Sequence, residues 1–207
     1  MALGTYSELQ TSLADFLNRE DLTSVIPTFI ALAEASINRD VRHWRMENRS
    51  TATIDGQYFT RPGDWVETIR LHLTTGTTYI MDLVSQNAMA DKRQGSENIA
   101  GKPRFYSHSE DQFEVFPTPD ESYAAELLYV QKIPALSDSN TTNWLLSDSP
   151  DLYLYGALMH SAPYLAEDAR VATWATGYSE AVQRLNLTSQ QSKFSGIGLK
   201  TKIRGLG

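Results

Sequence analysis

The 207-residue chain has no cysteine. Disulfide scaffolds, thiolate zinc sites and cysteine nucleophiles are therefore excluded together. No apolar run approaches the ~20 residues that a membrane-crossing helix needs. Met1 to Gln10 lacks the basic start and apolar stretch of a secretory signal. These absences predict a soluble protein, used where it is made and independent of membranes. Histidine is scarce: the four, at 43, 72, 108 and 160, are never within a helical turn of each other. No metal-ligand spacing results, and no metal or cofactor is expected.

Catalytic signatures are missing as well. There is no G-x-S-x-G elbow and no G-x-x-x-x-G-K-[ST] phosphate cradle. Gly196-Ile197-Gly198 mimics part of a dinucleotide fingerprint but neither follows a strand nor opens a helix. Glu110/Asp111 and Asp120/Glu121 are the carboxylate pairs a glycosidase would need. Both flank turn signals, where acids serve solubility and turn formation. The residues read as a non-enzymatic protein.

What is present is enough apolar sequence for one core, or one core with a satellite subdomain. Charge is unevenly spread within the net −7. Residues 181–207 hold Arg184, Lys193, Lys200, Lys202 and Arg204 and no acid, hence +5, whereas the other 180 residues carry −12. An acidic body disfavours tight duplex binding, because phosphate neutralisation supplies most of that affinity. A basic tail on such a body suits an acidic protein surface first, nucleic acid second, or a plain solvated terminus.

Periodicity sorts the chain into helical ends and a β-rich middle. Thr5 and Glu8 have capping-box spacing, and Tyr6, Leu9, Leu13, Phe16 and Leu17 share one helical face. Asp21–Ser24 offers a new cap. A second stripe follows through Ile26, Phe29, Ile30, Ala33, Ile37 and Val41, ending near Trp44. From about residue 49 the period is two. Asp55-Gly56 predicts a hairpin between Thr51–Thr53 and Tyr58, and Thr75-Gly76 a second turn. Strands are expected at 66–74, 77–81, 104–108, 112–116 and 124–131, with a short helix at 85–94. Residues 134–149 read as a loop anchored by Trp144, Leu145 and Leu146. Pro150-Asp151 starts another helix, with a kink or break expected near Pro163. Asp168 offers a cap for a last helix carrying Val171, Trp174, Tyr178, Val182 and Leu185, whose pattern dissolves after Asn186. The fold class is α+β.

Several pieces recur in a specific order. They are Phe59-Thr60-Arg61-Pro62-Gly63-Asp64-Trp65, Gly101-Lys102-Pro103-Arg104-Phe105-Tyr106 and Phe116-Pro117-Thr118-Pro119-Asp120. Glu126-Leu127-Leu128-Tyr129 and Asn143-Trp144-Leu145-Leu146 follow, and then Pro150-Asp151-Leu152-Tyr153-Leu154-Tyr155-Gly156-Ala157-Leu158. Over residues 5–190 this order resembles the head-to-tail adaptor (connector) proteins of tailed bacteriophages, the tail tubular protein A-like group. The resemblance implies a helical bundle from 1–48 and 149–190, a β-rich insertion and loop at 49–148, and a flexible basic C-terminal arm at 191–207. It implies a structural virion protein at the head–tail junction, synthesised in the host cytoplasm. Twelve copies would form a ring below the portal protein, join capsid to tail or neck proteins, and extend the DNA channel. DNA would pass through the lumen without specific binding. The arm would reach the portal through Lys193, Phe194, Ile197, Leu199, Lys200, Lys202, Ile203, Arg204 and Leu206. The alternative is a tail completion or neck protein that meets the tail rather than the portal.

Overall fold

A computed structural model of the chain describes residues 3–19, 21–94, 100–165 and 168–194. It is α+β, as the change of period predicts, with six α-helices and two four-stranded sheets among the described residues. In chain order the elements begin with α1 (Tyr6–Leu17), α2 (Ile26–Asp40) and a 3-10 turn (Trp44–Met46). Next come β1 (Glu47–Ile54), β2 (Tyr58–Thr60), β3 (Trp65–Leu73), β4 (Tyr79–Ile80), β5 (Asp82–Leu83) and α3 (Gln86–Gln94). Then follow β6 (Phe105–Ser109), β7 (Gln112–Phe116), β8 (Tyr123–Gln131), α4 (Trp144–Asp148), α5 (Pro150–Leu165) and α6 (Asp168–Phe194). The chain divides into two compact units, Met1–Trp44 with Ile133–Gly207, and Arg45–Lys132.

In the helical unit, α1 starts at the expected capping box. Thr5 Oγ1 accepts from the Glu8 amide, and the Glu8 carboxylate accepts from the Thr5 amide. Tyr6, Leu9, Leu13 and Leu17 are buried, but Phe16 is 43% exposed and leaves the predicted face. Neither Asp21 nor Ser24 caps α2. The Val25 and Ile26 amides bond to the Leu22 carbonyl instead, and Pro27 occupies the first turn, where a missing N–H costs nothing. Asp21 is engaged by Arg19 at 2.6 Å. The α2 stripe is buried throughout, from Ile26 to Val41.

α5 is the central helix of this unit and packs against α1, α2, α4 and α6. Its buried residues include the uninterrupted runs Leu152–Leu154 and Gly156–Leu158, the pattern of a helix covered on all sides. Gly156 marks a close crossing: a Cβ there would lie 3.1 Å from the Ala33 Cβ and 3.4 Å from the Tyr178 ring. Pro163 sits in the last turn, two residues before α5 ends, close to where a break is expected.

α6 continues eight residues beyond Asn186 to Phe194, so the first four residues assigned to the arm are helical. The apolar pattern stops because polar anchors replace it. Asn186 accepts from the Arg42 amide and donates to the Asp40 carbonyl, and Ser189 accepts from the Trp44 amide. These bonds serve the C-terminal end of α2, which has no helical partners of its own there.

In the β unit, one sheet has the order β1-β8-β3-β4 and the other β2-β7-β6-β5. All pairs are antiparallel except β5 with β6. Ile54, Leu71, Leu73, Phe113, Val115 and Leu127 belong to one core cluster drawn from both sheets. The Thr75-Gly76 turn joins β3 to β4, with Gly76 at φ +68°, a conformation glycine adopts without penalty. Asp55-Gly56, in contrast, closes no hairpin. β1 pairs with β8 and β2 with β7, so the chain crosses between sheets there and Gly56 has no positive φ.

Candidate functional site

The sequence-selected histidines and carboxylates fall into separate structural tasks. His43 is buried and stacks on Trp144 at 5.0 Å. His108 is exposed beside the Trp65 ring. His160 Nε2 lies 3.0 Å from the Ser36 hydroxyl, and burial, then the Arg39 charge, lowers its pKa. His72 is buried, with Nε2 3.9 Å from Glu126. No group of three His, Cys, Asp or Glu among the described residues could hold a metal ion.

Glu110 and Asp111 form the two-residue turn between β6 and β7, both exposed, with Asp111 3.4 Å from Arg61. Asp120 accepts a 2.6 Å bond from the Tyr123 hydroxyl, which pushes that phenol up to about 12. Both pairs sit in the connections between strands.

A more concentrated polar cluster lies inside the helical unit. Asn143 caps α4 by accepting from the Leu146 amide, and its amide donates to the Pro134 carbonyl and the Tyr153 hydroxyl. Tyr153 reaches Glu34 at 3.5 Å, and Glu34 accepts from the Leu136 amide at 2.7 Å. Burial raises the Glu34 carboxyl and the Tyr153 phenol. Glu34 and Asn143 hold the Leu136 and Leu146 amides and the Pro134 carbonyl, with Tyr153 bridging the two side chains, so the cluster is a clamp on this segment. Sequence reading found the Leu145–Leu146 anchor, now fully buried with Trp144 half-buried, but missed the clamp.

The surfaces remain. Of the nine residues proposed to touch the portal, Lys193 is exposed in the last turn of α6 and Phe194 is the helix's final residue. Ile197, Leu199, Lys200, Lys202, Ile203, Arg204 and Leu206 lie outside the described residues. In the β unit, β1 is an edge strand of eight residues. Its neighbour at the edge of the other sheet is the three-residue β2. Between them opens a groove of about 230 Å³ lined by Ser50, Ala52, Phe59, Thr60, Leu71 and Leu127. A hairpin at Asp55-Gly56 would pair β1 with β2 and close this edge; the two strands instead pair with β8 and β7.

No helix among the described residues is long and apolar enough to cross a membrane. No curated protein matches the chain. Residues 4–198, nearly its whole length, match the SU10 adaptor protein family. The chain belongs to this family of phage head-to-tail adaptors.

Proposed function

We propose that the protein is a non-enzymatic ring subunit of the virion's head–tail junction, present in twelve copies below the portal. There it joins capsid to tail and lengthens the channel through which DNA passes. The family match over residues 4–198 carries this reading. Charge supports the channel role: twelve copies at −7 bring −84 formal charges. The share facing the lumen repels DNA, which then slides without sticking.

Mixing the purified protein with its cognate portal ring and weighing the complex by native mass spectrometry tests the proposal. Twelve copies added per portal ring are expected. A protein that ignores an intact portal ring but binds tail-side components would instead be a neck or tail completion protein.

A further inference from the structure

β1 presents an unusual edge. Its pairing with β8 is continuous from Glu47↔Val130 to Ile54↔Tyr123, yet no strand lies on its other side among the described residues. The Arg49 amide already turns away from β8 to bond the Asn48 side chain. By the antiparallel alternation, Thr51 and Thr53 point their backbone N–H and C=O groups the same way. These two residues are exposed, and no bond to a partner outside the β1–β8 ladder is seen for them among the described residues. Edges of this length are normally shortened, bulged or blocked by proline or lysine. β1 contains no proline, no lysine and no bulge, and its charged residues, Glu47 and Arg49, both lie within its first three positions, leaving Ser50–Ile54 uncharged.

The groove lies on the core side of this edge. Ser50, Ala52 and Ile54 face the core with Leu127, Ala125 and Tyr123 opposite them. Beyond the small Ser50 and Ala52, the floor is Leu71 and Leu127, and the far side is Phe59, Thr60, Arg61 and Pro62. A strand added beside β1 would therefore place every second side chain over an apolar floor and the others outward.

The chain itself holds a segment with that pattern. After α6, thirteen residues follow. Ile197, Leu199, Thr201 and Ile203 alternate with Gly198, Lys200, Lys202 and Arg204. One face is apolar or β-branched and the other is basic, a period of two over eight residues, the length of β1. Charge favours the meeting: residues 195–207 carry +3, whereas 45–132 carry −4. At ~3.3 Å per residue, thirteen extended residues span roughly 40 Å, enough to leave one subunit for the next.

We propose that residues 197–204 of one copy add as a strand to the open edge of β1 in a neighbouring copy, with Ile197, Leu199 and Ile203 toward the groove. This inference rests on the ring proposed above. A head-to-tail donation of this kind joins unlike surfaces and so propagates around a closed ring.

The absence of cysteine makes the test clean. Ala52→Cys in one preparation and, in others, Ile197→Cys, Leu199→Cys or Thr201→Cys are mixed pairwise, assembled on the portal ring and oxidised. Adjacent strands bring facing Cβ atoms within disulfide reach. At least one pair is expected to give a species of about twice the 23.2 kDa chain mass. Each single variant alone should give at least tenfold less. Thr51→Pro removes an outward amide while sparing the β8 bonds. Built into the Ala52→Cys chain, it should cut that yield at least tenfold, with unchanged circular dichroism. A twelve-copy ring without the cross-link overturns the inference and leaves the ring standing, as does a link formed only to the portal. A double variant that links only within its own chain also overturns it. Failure to assemble on an intact portal removes the ring reading and the inference with it.

Discussion

Asn143 shows how much a single side chain can decide. It is 8% exposed and serves three groups at once: the buried Leu146 amide and Tyr153 hydroxyl, and the Pro134 carbonyl nearer the surface. Replacing it leaves the Leu146 amide unpaired away from water and the Tyr153 hydroxyl with Glu34 alone. Asn143→Ala should therefore cost about 1–3 kcal/mol, read as a lower urea midpoint with unchanged slope. His160 makes a pH-dependent contribution. Its pKa sits below the ordinary 6.5 because of burial first and the Arg39 charge second. Between the folded and unfolded pKa values the unfolded chain binds more protons, so stability rises with pH through that window. Its contribution is complete above pH 6.5 and is lost as pH falls through the folded value. His160→Gln should flatten this part of the profile, measured by urea unfolding between about pH 5 and pH 7.5. An unchanged slope would remove His160 from the account.

At the scale of elements, the helix crossing at Gly156 is the tightest contact to test. Its missing Cβ would lie 3.1 Å from the Ala33 Cβ, an atom that cannot move without its backbone. Gly156→Val should destabilise by about 1–3 kcal/mol and lower the Tm by several degrees. The capping box makes a smaller prediction: Thr5→Ala should cost about 0.5–2 kcal/mol, with α1 fraying in amide exchange. These elements also show what a sequence can disclose. Thr5/Glu8, the α2 stripe and Thr75-Gly76 are legible because each depends on residues within a few positions. Asp55-Gly56 misled because the same dipeptide serves a hairpin or a crossover. Which strand lies beside β1 is decided by β8, some seventy residues later. Phe16 fits the helical period yet is exposed, since a stripe's width is set by the neighbours that cover it. The end of α6 was hidden for a related reason: Asn186 and Ser189 hold it through hydrogen bonds, which leave no apolar signature. For the groove beside β1, the alternating segment 197–204 was readable, but strand order was not.

For the whole molecule, the division into two units has a direct test. Residues 45–132 have their own core, and Glu47 pairs with Val130, so the two ends of the segment lie side by side. Expressed alone, this stretch should fold, giving a dispersed amide spectrum and a cooperative melt. A collapsed spectrum would mean that its core is insufficient without the helical unit. The same division bears on how the protein is made. α1 and α2 leave the ribosome first, but the helix that covers them, α5, begins only at Pro150. At ~5–20 residues per second, roughly 5–20 s separate the two events. During that interval the stripe from Ile26 to Val41 lacks its partner while the β unit, continuous in sequence, can complete itself. Nascent chains stalled before residue 150 should therefore recruit chaperones to their first forty residues, and those stalled after α6 should not.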